Sequence, residues 1–251
     1  MSCSWDPSNN LKLWNATDFS EIRNFEGHTN SVNAIILLNE TTMASGSTDG
    51  TILLWDIFDS NEPPKIISIG NSVESLIKIE GDLIYGGLDN GSLIKVNLTN
   101  KSFESLTFSH SNKVTDLEYL NDKKLLASAS YDNYLFIINL LDDTLLYKST
   151  NNTKLLSLKY ASNILVSGDW DGWIYFWNTT NTTNTTAWQM TTLKGHNEPI
   201  FSLLNDSVNH TLYSGSWDRT INVWNISNIS NIGKPVDTIS TTSIIYSIIF
   251  I

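Results

Sequence analysis

The sequence has little cysteine and little positive charge. Among its 251 residues there is one cysteine, Cys3, which cannot form an internal disulfide and so favours a reducing compartment. Its 15 Lys and Arg residues against 26 Asp and Glu residues give a formal net charge of −11. Nucleic-acid backbones require clustered basic residues, and we therefore expect no nucleic-acid binding. An acidic surface favours solubility and also suits a basic partner.

Long apolar runs and helical patterns are also missing. The longest apolar stretch, Ile244–Ile251, is far shorter than the roughly 20 residues that cross a bilayer, and the N-terminus lacks the features of a signal peptide. We therefore expect no membrane association and an intracellular location, cytoplasmic or nuclear. No segment keeps the 3.6-residue apolar periodicity of a helix, which predicts almost no helix. The histidines show no metal-ligand spacing and no phosphate-binding loop occurs, so we expect neither a metal nor a cofactor.

One sequence motif recurs along the chain. In its best copy, residues 164–178, a strand leads into a tight turn at Asp171-Gly172, and a second strand ends on Trp177. Asp-Gly between two apolar runs is a strong hairpin signal, because the turn needs a positive φ that glycine adopts most easily. Further copies occur at Met43–Asp56, Ile84–Asn97, Leu126–Asn139, Leu212–Asn225 and, in clipped form, Met1–Asn15.

The copies follow a regular period. The turn aspartates are 43, 40, 43, 39 and 47 residues apart: Asp6, Asp49, Asp89, Asp132, Asp171 and Asp218. One hairpin in every ~40 residues predicts a propeller of four-stranded blades. The hairpins that end in Trp-Asp or Trp-Asn, with Gly-His dipeptides before two of them, resemble the WD40-repeat family.

This resemblance predicts an all-β fold, a WD40 β-propeller of four-stranded antiparallel blades in one domain over residues 1–251. Counting strands gives six repeats, either a closed six-bladed ring or a seven-bladed propeller lacking one blade. The full repeats are 20–57, 65–98, 103–140, 144–178 and 188–226; residues 1–15 form a partial repeat, and residues 235–251 another that closes the ring. The last inner strand would be Ile245–Phe250. Thr179–Thr186 is expected to be an exposed loop.

The resemblance also implies a structural role for the His, Ser, Asp and Trp of the motif. In the family these residues hydrogen-bond within a blade, and here they form two full sets, which are His28, Ser45, Asp49 and Trp55, and His196, Ser214, Asp218 and Trp224. Partial sets are Ser128 with Asp132, and Ser167 with Asp171 and Trp177. A Ser-His-Asp nucleophile would also need an oxyanion hole and a pocket, which nothing in the sequence indicates, so we expect no enzyme. The alternative is a propeller hydrolase in the central channel, but the inner strands carry mainly Ser, Thr and apolar residues.

Partner binding is predicted on the face that bears the inter-strand turns. In the family, the residue before the turn Asp and two residues of the inner strand project from this face. The candidate partner-binding residues are Trp5, Asn33, Glu74, Tyr131, Trp170, Phe201, Trp217 and Tyr246. Several are large aromatics, which are typical of interaction hot spots, although such rings also serve to pack over a neighbouring blade. Glu74, Asp169 and Glu198 add negative charge near the rim, which favours a basic or polar peptide.

We therefore expect a non-enzymatic scaffold that holds a protein or peptide partner within a larger complex. A narrower alternative is a substrate-recognition or adaptor subunit of a ubiquitin ligase or signalling complex. A third alternative is a decaying repeat array without a specific partner.

Overall fold

The computed structural model describes residues 11–149, 151, 153–161, 163–180, 190–228 and 232–248. These residues form 22 β-strands and contain no helix, hence none that is long and apolar enough to cross a membrane. They divide into two compact units, one up to Val114 and one from Thr115 onwards. The all-β fold of four-stranded antiparallel sheets that the sequence predicts is confirmed. The single domain, the ring closure and the number of blades stay predictions.

The first unit holds two four-stranded sheets and one two-stranded sheet. Its strands are β1 (Leu11–Trp14), β2 (Glu21–Phe25), β3 (Val32–Leu37), β4 (Thr42–Ser47), β5 (Thr51–Asp56), β6 (Lys65–Ser68), β7 (Val73–Lys78), β8 (Leu83–Leu88), β9 (Ser92–Asn97) and β10 (Ser102–Ser109). Strands β3–β6 and β7–β10 each form a sheet of consecutive antiparallel strands, whereas β1 pairs only with β2 among the described residues.

The second unit holds three four-stranded sheets, β11–β14, β15–β18 and β19–β22, again with consecutive strands side by side. Its strands are β11 (Val114–Leu120), β12 (Leu125–Ser130), β13 (Leu135–Asn139), β14 (Thr144–Lys148), β15 (Leu155–Ala161), β16 (Ile164–Asp169), β17 (Trp173–Asn178), β18 (Met190–Lys194), β19 (Ile200–Asp206), β20 (Thr211–Ser216), β21 (Thr220–Asn225) and β22 (Asp237–Ser240).

The second and third strands of each four-stranded sheet form the predicted hairpin. In the β16–β17 hairpin, Leu165 pairs with Trp177 and Gly168 with Ile174, and the turn glycine, Gly172, has a φ of 84°. The matching residues of two other hairpins, Asn133 and Arg219, adopt the same left-handed backbone with φ of 71° and 68°. The turn geometry therefore persists where glycine is replaced, because the hairpin strands on both sides determine it.

The core lies between successive sheets of each unit. Between β15–β18 and β19–β22, for example, Val166 and Phe176 pack against Ile200 and Leu212, all nearly or fully buried. The sheets approach so closely that a methyl group on Gly168 would lie 2.6 Å from Cγ2 of Ile200. The contact recurs within the units at two other glycine pairs, Gly46 with Val73 and Gly215 with Ile245.

The end of the described chain departs from the expected strand. Residues 245–248 form no strand, although their side chains pack as an inner strand would. The Ile245 amide donates to the Ser216 carbonyl at 3.1 Å, and the Ile248 amide donates to the Ser202 hydroxyl at 2.9 Å. A strand exists only where a neighbour completes its ladder, and no described residue pairs with this segment in that way. The last part of the predicted strand Ile245–Phe250, residues 1–10 of the partial repeat 1–15 and most of the predicted loop Thr179–Thr186 lie outside the described residues.

Candidate functional site

The first predicted set of polar residues forms a continuous hydrogen-bonded chain. His28 Nδ1 donates to Asp49 Oδ2 over 2.9 Å, and His28 Nε2 lies 2.7 Å from Ser45 Oγ. The indole of Trp55 donates to the same Ser45 oxygen over 2.8 Å. A neutral imidazole satisfies every group in this order, because its Nδ1 donates and its Nε2 accepts the serine proton. The arrangement holds the β4–β5 hairpin against the preceding loop.

The second set repeats this geometry. His196 Nδ1 lies 3.0 Å from Asp218 Oδ2, and His196 Nε2 lies 2.7 Å from Ser214 Oγ. Trp224 Nε1 donates to Ser214 Oγ over 2.8 Å. Because each hydroxyl is engaged on both sides and buried, neither set presents a nucleophile to a substrate.

Burial and hydrogen bonding set the protonation states of these sets. Burial lowers the pKa of His28 and of His196, although the neighbouring carboxylates oppose it. For Asp49, burial acts to raise the pKa, but hydrogen bonds from Thr51, the Thr29 amide and His28 outweigh it and the pKa is lowered. Asp218 has a lowered pKa for the matching reasons. Each pair is therefore a neutral imidazole beside a carboxylate.

The β15–β18 sheet has no histidine, and a different carboxylate holds its turn. Asp169 Oδ1 accepts hydrogen bonds from the amides of Asp171 and Trp173 at 2.9 and 2.8 Å, and Asp169 Oδ2 accepts from the Tyr175 hydroxyl at 2.8 Å. Burial raises the pKa of Asp169, against these hydrogen bonds, and burial beside Asp169 raises the pKa of Tyr175. The sequence assigned the turn to Asp171, whose side chain is exposed. Trp177 keeps its bond to Ser167 at 3.2 Å. The signal in the sequence was the buried-strand pair Asp169 and Tyr175 in the repeat that lacks histidine.

Five of the predicted partner-binding residues meet in the second unit. We call them the aromatic cluster: Tyr131, Trp170, Phe201, Trp217 and Tyr246. Ring centroids of Phe201 and Trp217 lie 5.0 Å apart at an interplanar angle of 23°, and Tyr246 lies 5.7 and 5.8 Å from these two rings. Trp170 connects them to Tyr131 through centroid distances of 6.0 Å to Trp217 and 6.1 Å to Tyr131.

The backbone fixes where these rings lie. The Trp170 amide donates to the Lys154 carbonyl at 2.9 Å, and the Trp217 amide donates to the Pro199 carbonyl at 3.1 Å. Each hydrogen bond links the turn residue to the residue just before the first strand of its own sheet, β15 or β19. All five rings are partly exposed, and Tyr246 is 47% exposed. The indole N–H of Trp217 is buried and has no hydrogen-bond partner among the described residues.

A lysine contacts the aromatic cluster, and two exposed acidic residues adjoin it in the chain, since Asp171 follows Trp170 and Glu198 precedes Pro199. The Lys154 ammonium lies 4.7 Å from the centroid of Tyr131 and 4.9 Å from that of Trp170, within the range of a cation–π interaction. Asp171 and Glu198 are exposed, and neither takes part in an ion pair with a described residue.

The other predicted partner-binding residues occupy different surroundings. In the first unit, Asn33 donates to Thr48 Oγ1 at 3.0 Å and to the Val73 carbonyl at 3.2 Å, which links two sheets. Glu74 is 9% exposed and forms an ion pair with Lys113 at 2.5 Å. Both side chains therefore already have internal partners. Trp5 lies outside the described residues.

Two inner-strand carboxylates were missed by the sequence reasoning. Asp116 accepts a hydrogen bond from the Leu158 amide at 2.7 Å, and Glu118 accepts one from the Tyr160 amide at 3.0 Å. Burial raises the pKa of Asp116 to about 7. These carboxylates accept hydrogen bonds from amides on the edge of β15 that pairs with no other strand. Such edge amides would otherwise lack a partner within their own sheet. Within the described ranges no group of His, Cys, Asp and Glu side chains is arranged to hold a metal ion.

Three of the repeats match a known family model. The family model described as "WD domain, G-beta repeat" matches residues 19–56, 103–139 and 188–225. WD repeat-containing protein 55 of Arabidopsis thaliana is 30% identical over 111 residues, which are 43% of this chain and 31% of that protein. Nuclear distribution protein nudF of Aspergillus niger is 32% identical over 110 residues, or 42% of this chain and 24% of that protein.

Small ribosomal subunit protein RACK1y of Oryza sativa subsp. japonica is 43% identical over 58 residues, or 23% of this chain and 17% of that protein. The matched part thus spans less than a third of each of these relatives. Among solved structures, that of the computationally designed Ika8 protein matches with a TM-score of 0.76 at 22% identity and covers 99% of this chain and 74% of the designed chain. At this identity the likeness concerns the fold alone.

Proposed function

We propose that this chain, whose repeats match the WD40 family model and resemble WD repeat-containing proteins, binds a protein or peptide partner on the aromatic cluster, since members of that family generally act as non-enzymatic scaffolds for protein interactions. The observation that carries this proposal is the contact of five partly exposed aromatic rings on neighbouring sheets of one unit. Aromatic side chains supply large contact areas at low entropic cost, and they dominate interface energetics.

The packing alternative accounts for less of the geometry. Tyr246 keeps 47% of its surface exposed, and the Trp170 and Trp217 rings also remain partly exposed, so the packing of these rings against one another leaves aromatic surface open to a partner. The propeller-hydrolase alternative gains no support from the inner-strand carboxylates, because Asp116 and Glu118 are engaged by strand amides. The adaptor role in a ubiquitin ligase or signalling complex remains a narrower form of the same proposal.

Site-specific photo-cross-linking tests the proposal. A photoreactive phenylalanine analogue replaces Tyr246 in the cluster or, as a matched control, Phe58, which is 73% exposed in the other unit. We expect discrete cross-linked proteins from position 246 that are absent from position 58 and that disappear when Trp217→Ala is added. Circular dichroism and thermal unfolding confirm that each variant is folded. Equal cross-linking at both positions, or products at position 246 that persist in the Trp217→Ala variant, would contradict the proposal.

Identification of the cross-linked proteins would also decide between a general scaffold and a ligase or signalling adaptor. The intracellular location expected from the single cysteine belongs to the same proposal. Imaging of a fluorescent fusion tests it, and secretion of the fusion would contradict it.

A further inference from the structure

We infer that the aromatic cluster recognises an arginine side chain within a partner peptide. This inference rests on the proposed function and names the chemistry of its ligand. Three features support it, which are the spacing of the rings, the position of Lys154, and the exposed acidic residues Asp171 and Glu198, which precede or follow cluster-positioning residues in the chain: Asp171 follows Trp170, and Glu198 precedes Pro199, whose carbonyl accepts the Trp217 amide.

The rings form a continuous surface and not an open cage. Phe201, Trp217 and Tyr246 have centroid separations of 5.0 to 5.8 Å, so the rings touch one another and leave no space between them for a ligand. A ligand must therefore lie on the outer surface. A planar guanidinium stacks on such a surface and keeps its edge free for hydrogen bonds, whereas a compact ammonium gains most when rings surround it.

Lys154 shows that the cluster attracts a cation and that its Tyr131–Trp170 end already has one. Its ammonium lies 4.7 and 4.9 Å from the centroids of Tyr131 and Trp170. Among the described residues no cation lies over Phe201 or Trp217. A second cation would consequently bind at the Phe201–Trp217 end, away from the repulsion of Lys154.

Two carboxylates supply the complementary charge. The turn at Asp171 lies directly against the loop at Glu198, since a methyl group on Gly172 would lie 3.1 Å from the Glu198 carbonyl. The Asp171 carboxylate is available to a ligand because Asp169 accepts the hydrogen bonds from the amides of the turn. Lys194 donates to the Asp171 carbonyl and offsets part of this charge locally, but the net charge of the chain is −11. A carboxylate near stacked rings accepts the edge of a guanidinium.

A displayed random-peptide library, selected on the wild-type protein and counter-selected on the Trp217→Ala variant, tests the inference. We expect the selected peptides to share an arginine. Replacing it by citrulline, which is planar but neutral, should weaken binding about tenfold, and replacing it by lysine should weaken it severalfold. The double variant Asp171→Asn/Glu198→Gln should weaken binding about threefold at low salt, with a smaller loss at high salt. The Phe58→Ala control should bind as the wild type does.

Each other outcome overturns the inference in a recognisable way. Peptides that depend on Trp217 but share no arginine would refute it and leave the proposed function intact. Equal binding of the citrulline and arginine peptides would refute it as well. If no selected peptide depends on Trp217, both the inference and the proposed function fail. If the protein self-associates in light scattering and Trp217→Ala abolishes this, the cluster binds a second copy and the inference is wrong.

Discussion

At the scale of single residues, Asp169 shows how a buried carboxylate is kept without a histidine. A buried charge is costly unless hydrogen bonds compensate it. Asp169 is fully buried and accepts two amides and the Tyr175 hydroxyl, so that both of its oxygens are satisfied. In the two sheets whose hairpins bond to a histidine, serine stands at the position of Asp169, as Ser47 and Ser216. There the turn aspartate two residues later, Asp49 or Asp218, accepts the hydrogen bond from the amide of the following strand.

The two aspartates of the β16–β17 hairpin should therefore differ in their effect on stability. Asp169→Ala leaves two amides and a tyrosine hydroxyl without their acceptor, and we expect it to lower the free energy of unfolding by about 2–4 kcal/mol. Asp171→Ala removes an exposed side chain and should change it by less than about 0.5 kcal/mol. Urea denaturation measures both. A larger loss from Asp171→Ala than from Asp169→Ala would contradict the hydrogen bonds described here.

The same hairpin marks the limit of prediction from sequence at this scale. Periodicity located the strands and the turn, and the family resemblance named His28, Ser45, Asp49 and Trp55, which the structure places within hydrogen-bond distance of one another. The sequence pattern did not reveal the exchange of roles between Asp169 and Asp171, because a motif records residue types and not which carboxylate is buried. The internal partners of Glu74 were hidden for the same reason.

At the scale of elements, the contact between successive sheets depends on a glycine and the shape of the residue that faces it. Gly168 faces the β-branched Ile200, and the contact leaves no room for a methyl group. In the β12–β13 hairpin the corresponding residue is Ala129, as the register shows, since Ala129 pairs with Leu135 as Gly168 pairs with Ile174. The residue that begins the first strand of the next sheet is there Leu155. Leucine branches at Cγ, one carbon further from the backbone than isoleucine does. Ala129 and Leu155 are both fully buried.

This comparison predicts a rescue. Gly168→Ala should lower the free energy of unfolding by about 1–3 kcal/mol, because the new methyl group overlaps Ile200 and the Ser157 hydroxyl. Adding Ile200→Leu should recover part of this loss, although Ile200→Leu alone costs up to about 1.5 kcal/mol. A double-mutant cycle in urea measures the coupling. Strictly additive losses would show that Ile200 does not determine the need for glycine.

Sequence patterns predicted the strands of complete sheets closely, and failed at the last segment. Within the predicted repeat 20–57, Val32–Leu37 forms the first strand of its sheet, whereas residues 245–248 form no strand, although both segments contain β-branched apolar residues. The difference is physical, because a strand requires a neighbour that the segment itself cannot supply.

At the scale of the whole molecule, stability should depend on pH through the histidine sets. The pKa of His196 is lower in the fold than its ordinary value of about 6.5, so below pH 6.5 the unfolded chain binds a proton that the folded chain binds less readily. The stability that His196 contributes is therefore present at neutral pH and is lost as the pH falls. Asp116, with a pKa of about 7, acts in the opposite direction, since the folded state then binds the extra proton.

Comparing variants at two pH values isolates the histidine. We expect His196→Gln to lower the free energy of unfolding more at pH 7.5 than at pH 5.0, because the contribution of Asp116 cancels in the difference from wild type. The two losses in the free energy of unfolding should differ by up to about 1.4 kcal/mol for each unit by which folding lowers the pKa of His196. Ser216→Ala removes a hydroxyl of the same sheet that does not titrate, and its effect should be equal at both pH values. A larger loss from His196→Gln at pH 5.0 would contradict the lowered pKa.

In the β16–β17 hairpin, Asp169 and not Asp171 accepts the hydrogen bonds of the turn, and this has a consequence for the evolution of the surface around position 171. At positions 49 and 218, the carboxylate serves the fold, so selection for stability opposes nearly every substitution there. At position 171 the side chain does not accept these bonds, is exposed, and directly follows Trp170 of the aromatic cluster. If the aromatic cluster binds a partner as proposed, mutations at this position are consequently exposed to selection for that binding and hardly to selection for stability. Among descendants of this chain, position 171 should diversify whenever the partner changes, while positions 49, 169 and 218 stay constant.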